Sequence, residues 1–122
     1  AQLDRWEIVT SLNYLSLERE MEIVLSKNKK LNNPKGKEKV ANMIKVASLT
    51  RKGFIGGDIS TVMSPRTVLN WCGNSEIFKD IGYAFRITFL NKCDDSEKST
   101  IAEYYQRCFG EDLPESMINI QI

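Results

Sequence analysis

Ser64-Pro65-Arg66-Thr67-Val68-Leu69-Asn70-Trp71 is the stretch whose reading decides the fold. A serine hydroxyl can accept from the free amides that open a helix, and proline at the first helical position loses no hydrogen bond. Together they predict a helix running to about Ile77 or Phe78, with Gly73 weakening its middle. Arg66 falls in the first turn, at the positive end of the helix dipole, where a cation costs roughly 0.3–1 kcal/mol. Two readings are open. A solvated arginine bears the penalty, or an anion bound by the guanidinium and the helix amides reverses it. Physics alone favours the first.

Working outward, the chain on both sides also reads as helical. Ser16 is placed to cap a helix whose first turn carries Glu18 and Glu20 and whose apolar positions are Leu17, Met21, Val24 and Leu25. Lys27 to Lys39 is a polar, lysine-rich connection, read as a solvated loop rather than a binding patch. A second helix is expected from about Lys37 to Lys52, with Val40, Met43, Ile44, Ala47 and Arg51 on one side and Gly53 as its stop. Gly56-Gly57-Asp58 has no following Gly-Lys-Ser/Thr, so it is assigned to a turn and not to a phosphate loop. Beyond the opening stretch, helices are expected over 81–93 and 96–109, the last with Ile101, Tyr104, Tyr105 and Cys108 inward and Gly110 as its stop.

One segment breaks the pattern. Trp6-Glu7-Ile8-Val9-Thr10-Ser11-Leu12-Asn13-Tyr14 is rich in β-branched and aromatic residues and is expected to be a strand. Nothing else in the chain pairs with it convincingly, and the first residue is not methionine, so the chain reads as a segment of something longer. The fold class expected is mainly α, a helical bundle behind one leftover β-strand. The tail around Met117-Ile118-Asn119-Ile120 reads equally as a short strand or a frayed end.

Composition narrows the function classes. With 42% hydrophobic residues and eleven aromatics in 122 residues, the chain suits one globular domain. Seventeen basic and sixteen acidic residues give a net charge of +1, which argues for neither a nucleic-acid nor a membrane partner. No apolar run approaches the ~20 residues of a membrane span. There is no histidine, which removes Ser-His-Asp and Cys-His catalysis and the common metalloprotease motifs. Cys72, Cys93 and Cys108 are read as reduced thiols, and no metal site is expected. Asp94-Asp95 are read as helix-starting acids, and Tyr104-Tyr105 as core. Arg5, beside Asp4, is by itself most simply one half of a local ion pair.

Three longer stretches carry a resemblance. Gly57-Asp58-Ile59-Ser60-Thr61-Val62-Met63-Ser64-Pro65-Arg66, Phe85-Arg86-Ile87-Thr88-Phe89-Leu90-Asn91-Lys92-Cys93-Asp94 and Tyr104-Tyr105-Gln106-Arg107 resemble the C-terminal third of the AAA+ ATPase small subunit of aerobic cobaltochelatase. Leu3-Asp4-Arg5-Trp6 and Met63-Ser64-Pro65-Arg66-Thr67-Val68 are similar to the arginine-finger box and sensor-2 motif of the wider MoxR and magnesium-chelatase branch. The resemblance spans residues 1 to about 115. It implies a cytoplasmic ATPase ring, a homo-oligomer and a hexamer in the family's pattern, working with a larger metal-inserting subunit. That ring couples ATP hydrolysis, with Mg²⁺, to Co²⁺ insertion into hydrogenobyrinic acid a,c-diamide during adenosylcobalamin synthesis.

Residue by residue, the resemblance implies that Arg66 is the sensor-2 arginine touching ATP phosphates from a helical lid. Ser64 and Pro65 form its helix start, and Arg5 is the arginine finger reaching the nucleotide of the neighbouring subunit. It implies three parts: the end of an α/β core over 1–15, a helical lid over 16–113 and a tail over 114–122. The chain carries no Walker A, Walker B or sensor-1 residues and is expected to be inactive as a segment. Two other readings compete: a lid from a MoxR-type ATPase that remodels another protein, and a free-standing helical interaction domain.

Overall fold

The computed structural model describes residues 4–12 and 16–110. Among them are six α-helices and no strand: α1 (Arg5–Leu12), α2 (Leu17–Lys27), α3 (Pro34–Gly56), α4 (Pro65–Phe78), α5 (Ile81–Thr88) and α6 (Lys98–Phe109). Single 3₁₀ turns at Lys29–Leu31, Leu90–Lys92 and Asp95–Glu97 bridge them. The fold is mainly α, as the periodicity implies.

The expected strand is corrected. Residues 6–12 of it lie in α1, while Asn13 and Tyr14 lie outside the described residues. The cause is local chemistry that overrides propensity. The Asp4 carboxylate accepts from the Glu7 amide at 2.8 Å, and the Asp4 carbonyl accepts from the Ile8 amide at 3.1 Å. A strand without a partner leaves its amides and carbonyls to water, whereas a helix pairs them internally. β-branched residues cost a helix only about 0.7 kcal/mol each at most, and Val9 is buried in the core.

α3 is the central element and touches α1, α2, α4 and α6. At 23 residues it is about 34 Å long at 1.5 Å per residue. Asn33 caps it by accepting from the Gly36 amide at 2.8 Å, and Pro34 opens it. The helix therefore starts inside the stretch expected to be loop. It also runs past Gly53, the expected stop, to Gly56. The true stop is Gly57, at φ 83°, a left-handed conformation that suits a residue without a Cβ. Gly53 is buried instead, and a Cβ built there would meet the Tyr104 hydroxyl of α6, so its smallness serves close helix packing.

α4 and α5 form a hairpin turned at Lys79 and Asp80. Lys79 takes a left-handed φ of 55°, and the Asp80 carboxylate caps α5 by accepting from the Tyr83 amide at 3.0 Å. Trp71 fills the space between α4, α5 and α6. Its ring lies 4.8 Å from Phe85, 6.4 Å from Tyr105 and 5.9 Å from Phe109, and its indole N–H donates to the Ile81 carbonyl at 3.0 Å. The expected helix over 81–93 ends earlier, at Thr88, and finishes in a 3₁₀ turn. Asp94 caps the turn that leads into α6, as its acid pair suggests, and Gly110 at φ 73° ends that helix. The residues 111–122, with the tail expectation, lie outside those described.

Cys72, Cys93 and Cys108 are free thiols. Burial, with Glu76 a lesser contributor, pushes the Cys72 thiol up to about 11. Burial, with Glu97 a lesser contributor, does the same to Cys93. At neutral pH both are protonated, unreactive core groups. No described helix is long and apolar enough to cross a membrane.

Candidate functional site

The site is built on the connection between α3 and α4. At its far end, the Ser64 hydroxyl accepts from the Thr67 amide at 3.2 Å and shares a 3.0 Å hydrogen bond with the Thr67 hydroxyl. Pro65 occupies the first helical position, as expected. Arg66 follows it and is exposed, and among the described residues its side chain has no hydrogen-bond or ion-pair partner. A cation is thus held in water at the positive end of α4 with its N–H donors unspent.

Three side-chain grips hold this connection. At its near end, the Arg5 guanidinium donates to the Phe54 and Ile59 carbonyls, both at 3.0 Å, and its carbon lies 4.8 Å from the Phe54 ring centroid. Phe54 is in the last turn of α3, where carbonyls carry partial negative charge, so the placement is electrostatically favourable. In the middle, the Glu97 carboxylate accepts from the Ser60 amide at 2.8 Å and from its hydroxyl at 3.0 Å. Just before the cap, both main-chain groups of Met63 are taken by α3. Its amide donates to the Thr50 hydroxyl at 3.1 Å, and its carbonyl accepts from Arg51 Nε at 2.9 Å.

Arg51 is itself clamped. Its two terminal nitrogens donate to the two Glu20 oxygens of α2 at 3.1 and 2.9 Å, a bidentate pair. Arg51 is 2% exposed and Glu20 3%. Sequence reading assigned Arg51 only to a helix face and Glu20 only to a first turn. The arginine among α3's apolar positions was the available signal, because a buried cation requires a partner.

Arg5 and Arg66 therefore belong to opposite ends of one connection, Arg5 engaged and Arg66 free among the described residues. The simple Asp4–Arg5 ion pair does not form: Asp4 caps α1 and Arg5 turns to α3. The lysine-rich stretch lines an open cleft of about 520 Å³ with Lys27, Lys29, Lys30, Glu76 and Lys79, which shares no residue with the α4 start. No cluster of three or more acids or cysteines suited to a metal ion occurs among the described residues.

The described residues thus form a mainly α domain with an exposed arginine in the first turn of a capped helix. The chain is 57% identical over 120 residues to the aerobic cobaltochelatase subunit CobS of Sinorhizobium sp, an alignment covering 98% of this chain and 36% of that protein. The resemblance to an aerobic cobaltochelatase subunit is thereby shown, and the chain spans about a third of that relative's length. No family model matches the chain, and no solved structure does.

Proposed function

We propose that this chain supplies the helical lid of a cobaltochelatase ATPase subunit, which couples ATP hydrolysis to Co²⁺ insertion into hydrogenobyrinic acid a,c-diamide on the way to adenosylcobalamin. The observation that carries the proposal is the 57% identity to CobS across nearly the whole chain. In this reading residues 16–113 are the lid, 1–15 the end of the nucleotide-binding core and 114–122 a tail. The protein works as a cytoplasmic homo-oligomeric ring with a larger metal-inserting subunit.

The chain's own residues suit a polyphosphate. Arg66 presents free donors beside a helix N-terminus, which is the chemistry a phosphate oxygen requires. Its role is sensor 2, with Ser64 and Pro65 fixing the helix start from which it reaches. Arg5 acts in trans as the finger on the neighbouring subunit's nucleotide, and to do so it releases the Phe54 and Ile59 carbonyls. Positioned positive charge of this kind accelerates phosphoryl transfer, by about 10³–10⁵ for a finger. In this reading the Mg²⁺ that accompanies ATP is held by other parts of the ring, and this segment alone is inactive.

The test is made in the full-length ring. Arg66→Ala and Arg5→Ala are each expected to abolish ATP-dependent chelation with the fold intact, and full ATPase turnover in either variant overturns its assigned role. Mixed rings separate the two arginines. Arg5→Ala subunits are partly rescued by co-assembly with subunits that cannot bind ATP but still donate Arg5, and no rescue at any ratio excludes action in trans.

A further inference from the structure

We infer that Arg51, held by Glu20, is a positioning residue for Arg66: it fixes the start of α4 relative to α2 and α3, and so aims the arginine at its phosphate. The inference rests on the phosphate-contacting role proposed for Arg66 and adds the device that sets its geometry.

The path is short and continuous. Met63 is the residue before the Ser64 cap, and Arg66 lies in the first turn after it. The Met63 amide and carbonyl are both bonded to consecutive α3 residues, Thr50 and Arg51. Rotation of the chain at Met63 must break both bonds together, so α4 cannot swing at its root while they hold. Met63 is also fully buried, so water does not readily replace these partners.

A bidentate carboxylate then fixes the guanidinium plane, leaving Nε aimed at the carbonyl. Such an arrangement is poorly explained by stability alone. A buried ion pair is often replaceable by apolar residues of similar volume without loss of stability, and its best-attested use is to set registry. Here the registered element carries the exposed arginine. Lysine at position 51 could keep a charge for Glu20 but has no planar fork to serve both Glu20 and Met63.

The experiment uses the full-length ATPase ring. Glu20→Met/Arg51→Met removes both charges at once, so no buried charge is stranded. It is expected to keep the wild-type melting temperature within a few degrees and to lower ATP turnover by roughly 10–100-fold, the range for loss of a supporting contact. Added to Arg66→Ala, the pair should cause little further loss, because both changes break one function. Arg51→Lys, which keeps a charge for Glu20 but lacks the planar fork, should stay close to wild-type stability and still lower turnover.

Wild-type turnover in a folded Glu20→Met/Arg51→Met ring, or wild-type turnover in a folded Arg51→Lys ring, overturns the positioning role. So does a full, additive loss on the Arg66→Ala background. If Arg66→Ala alone leaves turnover intact, the phosphate-contacting reading of Arg66 fails instead, and the two failures are thereby distinct. Should the double variant not fold, Thr50→Val, which removes the hydroxyl that accepts from the Met63 amide, carries the test. It should lower turnover in the wild-type ring and not in the Arg66→Ala ring, and unchanged wild-type-background turnover overturns the inference.

Discussion

Arg51 and Arg66 stand on either side of the same short connection and are treated in opposite ways. Arg51 is sunk into the bundle with three nitrogens bonded to Glu20 and Met63. Arg66 stands in solvent with no described partner and at the unfavourable end of a helix. The contrast separates two uses of one side chain. A guanidinium whose donors are all directed inward holds shape, and one whose donors are left unspent is available to a ligand. Arg5 sits between these extremes, exposed yet bonded to two carbonyls that it can give up.

The comparison is broken most directly at the buried side. Arg51→Ala or Glu20→Ala strands a charge in the core, and each is expected to destabilise the fold by about 3–5 kcal/mol. Urea denaturation of the full-length protein measures it as a lower midpoint for the lid transition. A loss below about 1 kcal/mol, the value of a surface pair, would show that the buried bidentate geometry does not hold the bundle. The exposed Arg19–Glu22 pair on α2 offers an internal control. Arg19→Ala should cost no more than a few tenths of a kcal/mol.

Ser64 lies between the two arginines and gives an intermediate effect. Its hydroxyl satisfies one of the free amides of α4, so Ser64→Ala is expected to cost about 1 kcal/mol and Ser64→Asp to recover most of it. Amide hydrogen exchange sharpens this by location. In Ser64→Ala, faster exchange should be confined to the first turn of α4, with the Met63 amide still protected by Thr50. Equal loss of protection at Met63 would mean that the cap, and not the α3 clamp, anchors the connection.

What the sequence disclosed and what it concealed divide along the same line. Ser64 and Ser16 were legible as caps because the bond runs three residues along the chain. Gly110 was legible as a stop for the same reason. Gly53 was misread as a stop because its smallness answers Tyr104, some fifty positions away, and not its own backbone. The strand expected over 6–14 was a propensity reading, and the cap at Asp4 with the burial of Val9 overrode it over the residues described. For the candidate site, the placement of Arg66 in the first turn of a capped helix was legible from the local sequence. The Glu20–Arg51–Met63 clamp joins three distant segments, and only the packed structure brings them together.

The smallest expected effect tests the exposed side and has a definite sign. Arg66→Gln keeps a long polar side chain and a similar helix propensity while removing a charge from the positive end of α4. Without nucleotide, the substitution should therefore stabilise the fold slightly, by about 0.3 kcal/mol for a solvent-exposed position at low ionic strength. Raising the salt to about 1 M, where screening acts within roughly 3 Å, should erase the gain. Saturating ATP should reverse the order, since ligand bound to the native state stabilises the wild type and binds the variant less well. Melting curves of the two full-length proteins, at low and high salt and with and without ATP, decide the matter. If the variant is less stable than wild type in all four conditions, Arg66 is a structural arginine, and the division between the inward and outward guanidinium does not hold.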